Sequence, residues 1–250
     1  MMLKKISILG LLMAPVLALA ITPSERESQE KENMKMLADL GLPLPNTGIT
    51  IAPRASYNKS KKFLEQAASA DKQRQTVGYI NVNTEQPKEL LSIQKVVNKN
   101  QKQFHIVDSE KSTNMKSNIT DLKLAFVFKP VPKSLVSKYI GVAPMGAFNE
   151  NGWSGAAEFF TKKDIGTCSY GLMSIPVSKM SARLAAESVS NDINNKTTII
   201  EVMGNKQSGF IYNIQWYDDE YFHELECANM NFSRKILKLE VELAKHIDNA

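Results

Sequence analysis

Two cysteines, a histidine and a run of carboxylates are the residues of this chain with the most chemistry in them. Cys168 and Cys227 are the only cysteines, and His223 stands four residues before Cys227. A thiolate beside an imidazole is a nucleophile pair when the two side chains come within hydrogen-bond reach. Four residues of extended strand span about 13 Å, so His223 and Cys227 cannot form that pair. Cys168 would have to supply the thiol. In a chain bound for an oxidising compartment, two cysteines oxidise to each other more often than they catalyse, and closing a loop of about 60 residues is worth on the order of 4 kcal/mol. The expectation is a Cys168–Cys227 disulfide and no catalytic thiol.

The carboxylates carry less. Asp218-Asp219-Glu220 lacks the spacing and the glycine of an EF-hand loop and reads as a solvated hairpin tip. Glu224 and Glu226 are two residues apart and share one strand face, opposite Cys227. Paired carboxylates do acid–base work in glycoside hydrolysis, whereas two glutamates on an exposed strand face are ordinary. The three histidines, at 105, 223 and 246, have no metal spacing. There is no G-x-S-x-G, no glycine-rich phosphate loop and no H-E-x-x-H. The expectation is no catalytic constellation, no cofactor and no metal.

The elements that would position these residues are clearest in the second half. Residues 197–227 alternate apolar and polar, the period of a half-buried strand. Turn signals at Gly204-Asn205, Ser208-Gly209 and Asp218-Asp219 divide them into antiparallel strands near 197–203, 209–217 and 221–227. Phe210, Tyr212, Ile214 and Trp216 share one face of the middle strand and would wall a core. Upstream, 153–160 and 167–174 read as strands around a Lys162-Lys163-Asp164 turn, and a helix is expected from Ser178 to about Ser190, burying Met180, Leu184 and Val189. Ser233 would cap a last helix with Ile236, Leu239, Leu243 and Ile247 on one stripe. The order ββαβββα describes an antiparallel sheet packed by helices, an α+β domain over 133–250.

The first half is less regular. Lys4 and Lys5, an apolar run from Ile6 to Leu17 and Ala18-Leu19-Ala20 spell a signal peptide over 1–20, cleaved near Ala20. Its apolar run is shorter than the roughly 20 residues a membrane span needs. Residues 21–56 read as a charged helix, with Ser24 and Glu27 as a capping box and Met34, Leu37 and Leu40 as a stripe, followed by a Pro-rich linker. Leu44-Pro45-Asn46-Thr47-Gly48 spells the pattern sortases recognise, but it lies near the N-terminus with no apolar tail and basic residues after it. Residues 57–132 form a smaller basic region, β-rich or mixed. Its expected parts are a helix over 58–74, a strand over 75–82, a hairpin through Leu91, Ile93, Lys95, Val97 and 104–107, and a strand through Leu122, Leu124, Phe126 and Phe128. Pro130 and Pro132 mark the boundary with the next domain, and 133–152, with Gly141, Pro144, Gly146 and Gly152, reads as loop.

Charge is uneven. Residues 51–138 hold 16 basic and 7 acidic side chains, and 139–250 hold 10 and 14. A basic half can meet anionic lipid or cell-wall polymer, while export argues against nucleic acid as the partner of its lysines and aromatics. Together these features lead us to expect a periplasmic or secreted protein, with no transmembrane span after cleavage, that is non-catalytic and binds another envelope protein as an accessory or structural part of an envelope or secretion assembly. The alternatives are an exported hydrolase with a site assembled from distant residues, and a binder of anionic envelope polymers through 54–138.

Overall fold

The computed structural model describes residues 48–100 and 115–250. The expected signal peptide, the charged helix, the Pro-rich stretch up to residue 47 and the strand at 104–107 lie outside the described residues. What is described is α+β: a mostly antiparallel, many-stranded sheet with few helices.

The strands are β1 (Gly48–Ala52), β2 (Ile80–Asn81), β3 (Lys138–Asn149), β4 (Gly152–Lys162), β5 (Gly166–Ser174), β6 (Ser181–Ala185), β7 (Val189–Ile193), β8 (Lys196–Asn205), β9 (Gly209–Tyr217) and β10 (Tyr221–Asn229). The helices are α1 (Arg54–Tyr57), α2 (Lys61–Thr76), α3 (Gln86–Asn100), α4 (Ile175–Ser178) and α5 (Arg234–Asp248). The main sheet runs β2-β8-β9-β10-β5-β4-β3, with β7 also paired to β8, while β1 and β6 form a separate parallel pair. Every neighbour in the main sheet is antiparallel except β2 on β8.

Turn chemistry sets the hairpins. Asn205 Oδ1 accepts from the amides of Gln207 and Ser208 in the β8–β9 turn, and Asp218 Oδ1 accepts from Glu220 and Tyr221 in the β9–β10 turn. Asn194 and Asn195 turn β7 into β8 with positive φ, which asparagine tolerates. One face of the sheet holds the main core: Phe160, Cys168, Tyr170, Leu172, Ile214, Trp216, Leu225 and Cys227, closed by Leu243, Ala244 and Ile247 of α5. On the opposite face α3 seats Leu90 against Ile211 and Ala228, and the β1–β6 pair packs Leu184 against Met173, Tyr217 and Phe222.

Several expectations from the sequence are corrected. Residues 178–190 are not a helix: Lys179 turns left-handed at φ 53° after the single turn of α4, and 181–185 pair with β1, whose backbone overrides a modest helical propensity. Leu184 is buried there, but as a strand residue. Residues 133–152 are not a loop but contain β3, an edge strand. An edge tolerates Pro144, and Gly141 admits the Lys116 backbone, whose carbonyl would stand 2.8 Å from an added Cβ. Residues 122–128 alternate but pair at a single bridge, Leu124 with Trp153. They form an extended strap that lays Phe126 and Phe128 on the core. Residues 86–100 are helix, not the first arm of a hairpin, and the described part of 57–132 is mixed, with α2, α3, the short β2 and the extended strap. Leu90 and Ile93, three apart, face the sheet at the helical period.

Candidate functional site

The register of β5 and β10 places Cys168 directly opposite Cys227. Their sulfurs are 2.12 Å apart, at disulfide distance, and both residues are fully buried. His223 shares their sheet face but is engaged elsewhere. Its Nδ1 lies 2.9 Å from the Tyr170 hydroxyl and its Nε2 3.3 Å from Asp218 Oδ2. The ring stacks on Trp216 with centroids 4.8 Å apart. Lys196 Nζ bridges Asp218 at 3.0 Å and Asp248 at 2.6 Å, and Trp216 Nε1 donates to Asp248 at 2.8 Å.

The electrostatics of this chain of contacts are consistent. Burial alone would raise Asp218, but hydrogen bonds from His223, Glu220, Lys196 and Tyr221 outweigh it and hold its carboxyl well below the usual range. Burial lowers His223, and Asp218 does not fully restore it. Burial keeps the Tyr170 hydroxyl protonated. A neutral imidazole then accepts from Tyr170 at Nδ1 and donates to Asp218 from Nε2. Tyr–His–Asp is a proton-relay order, yet Tyr170 is 1% exposed, and at the far end the partly exposed Asp218 is paired with Lys196, which also holds Asp248. Asp218 is therefore a structural anchor and not the solvated tip the sequence suggested, while Asp219 and Glu220 are exposed.

Glu224 and Glu226 lie half-buried on the opposite face of β10, between α3 and the β1–β6 pair. Asn213 Nδ2 bridges them, donating to Glu224 Oε1 at 3.3 Å and Glu226 Oε1 at 3.2 Å. Gln215 donates to Glu224 at 2.7 Å and Gln86 to Glu226 at 2.9 Å. Burial raises both carboxyls, and the neighbouring Glu224 helps push Glu226 up to about 8. With Glu226 raised that far, the pair holds a proton near neutrality, which is acid–base capacity. Amides already occupy its inward oxygens. Among the described residues, no three His, Cys, Asp or Glu side chains converge to hold a metal ion.

Among the described residues, an open feature lies at the β8 edge. On the side of β8 away from β9, β2 pairs with Met203 and Gly204 and β7 with residues 196–199, so among the described residues 200–202 have no strand on that side. A cleft of about 510 Å³ opens there, between the C-terminal end of α2 and the first turns of α5. Ile200, Val202, Phe232 and Leu237 give it an apolar lining, and Arg74, Arg234 and Lys238 are its charged residues. Arg74 is held by Asp71 and Glu201. Arg234 and Lys238 are exposed and make no ion pair among the described residues. Sequence reasoning missed this cleft, because its walls come from residues about 130 to 160 positions apart.

Comparison with protein-family models, with curated proteins and with solved structures returns no match.

Proposed function

We propose that this chain is an exported, non-catalytic component of a cell envelope that works by holding another envelope protein. The β8-edge cleft carries the reading. The chemistry-bearing groups of the fold are tied to one another, whereas here two exposed cations, without an ion pair among the described residues, stand beside the partly exposed Ile200, Phe232 and Leu237. Unpaired charge beside an open apolar lining is a docking feature. The N-terminal signal pattern and the buried sulfur pair at bonding distance support an oxidising, extracytoplasmic setting. Among the described residues no helix is long and apolar enough to cross a membrane.

Gentle crosslinking of intact envelopes tests the reading. The protein should be recovered in a larger complex that is depleted when Arg234→Glu and Lys238→Glu are combined. Recovery as a lone monomer overturns it.

The paired carboxyls Glu224 and Glu226 favour a second reading, an exported hydrolase, because Glu226 near 8 is a proton donor at neutral pH. Absence of glycan turnover, or turnover unaffected by Glu226→Gln, removes it. A binder of anionic polymers through 54–138 would release its ligand as salt is raised.

A further inference from the structure

We infer that the partner enters the β8-edge cleft as an amphipathic helix with acidic residues flanking its apolar stripe. The inference rests on the protein-binding reading and names the chemistry of what is bound. Four observations carry it.

First, the lining is one-signed. No acidic residue contributes to it, Arg74 is neutralised by Asp71 and Glu201, and among the described residues Arg234 and Lys238 carry charge with no ion pair. Second, those two cations are one helical turn apart on α5, about 6 Å along its axis, which matches carboxylates at i and i+4 on a helix lying alongside. Third, the first turn of α5 is itself the positive end of a helix of 15 residues, so its backbone adds to the same field. Fourth, Leu237 sits between the cations in sequence and is partly exposed in the lining with Ile200 and Phe232, over the buried Val202. An apolar stripe flanked by acids therefore satisfies lining and rim together, the helix-in-groove mode of recognition.

The shape decides between a protein helix and a lipid. The cleft lies between two helices and a sheet edge and is open to solvent. An acyl chain laid in it would keep one side in water, whereas a helix brings the rest of its own protein as cover. The exposed edge at 200–202 is too short for an added strand, since strands in sheets run to about five residues.

The test uses the full-length protein and three probes: a labelled helical peptide with leucines on one stripe and glutamates at i and i+4 beside it, the same peptide with lysine for every glutamate, and phosphatidylglycerol vesicles. The acidic peptide should bind saturably. Arg234→Glu combined with Lys238→Glu, both at exposed positions, should weaken it roughly tenfold. The lysine peptide should bind the charge-reversed protein in preference to the original. Leu237→Ser should weaken both pairings. Equal binding of the two peptides, or binding of vesicles alone, overturns the inference. If no peptide binds while envelope crosslinking still captures a partner, the acidic helix is wrong and the protein-binding reading stands. If both fail, both fall.

Discussion

Glu240 lies mid-helix on the sheet-facing side of α5, fully buried, and among the described residues neither carboxyl oxygen has a partner with hydrogen-bond geometry. Burial raises its pKa well above the usual carboxylate range, Glu226 adds to the rise, and the nearby Cys227 backbone offsets only a smaller part of it. Glu240→Met keeps the volume close and removes both polar atoms. An unsatisfied buried polar group costs about 1–3 kcal/mol, so the variant should gain about that much stability. For a domain near 200 residues, each kcal/mol raises the melting temperature by about 2–4 °C. The sign with pH follows from linkage. A carboxyl whose folded pKa is raised contributes stability that is fully present below the unfolded value, 4.5, and is lost as pH rises above it. The gap between variant and wild type should therefore be larger at pH 8 than at pH 4.5. Glu240→Gln, which keeps an unsatisfied polar group but cannot ionise, should lose the pH dependence without the gain at low pH. Guanidinium unfolding of the three proteins at both pH values, without reductant, measures this. A Glu240→Met protein less stable than wild type at both pH values would show that Glu240 has a native partner, and would refute the reasoning.

Other outcomes follow from the same geometry. Replacing both Cys168 and Cys227 with alanine should cost about 2–5 kcal/mol in denaturant unfolding and make the midpoint insensitive to reductant; a wild-type midpoint already insensitive to reductant would contradict the bond. Glu226→Gln should flatten the fall in stability that wild type shows as pH rises from 4.5 to about 8, and parallel pH curves would contradict the raised Glu226 pKa. Gly204→Ala should lose more than about 2 kcal/mol, because φ is +138° and the new Cβ would stand 2.1 Å from the Gly209 carbonyl, which only a backbone shift relieves.

Much of the second half was legible because its period and its turn residues agree. Alternation over 197–227 and the Asn205 and Asp218 turns point to the same hairpins. The errors came where backbone partners outweigh local signals. Ser181–Ala185 has a helix-like composition and becomes a strand because Gly48–Ala52 lies beside it, and Pro144 and Gly146 look like loop until an edge with bulges accepts them. Alternation at Phe126 and Phe128 reported real burial but not a ladder, since one-sided burial needs only an extended chain. At the site, the sequence placed Glu224 and Glu226 on one face. It could not show that Asn213, Gln215 and Gln86 close over them. Glu240 did leave a signal, an acid on the apolar stripe of α5 between Ile236 and Leu243.

The claim that matters most is that the β8-edge cleft is where a partner protein sits. A photo-crosslinking residue at position 237, inside the cleft, and another at 139, on the exposed strand at the opposite sheet edge, can be irradiated in the native envelope. The account predicts a discrete protein adduct from 237, lost when Arg234→Glu and Lys238→Glu are added, and none from 139. Equal adducts from both positions, or none from 237, would contradict it.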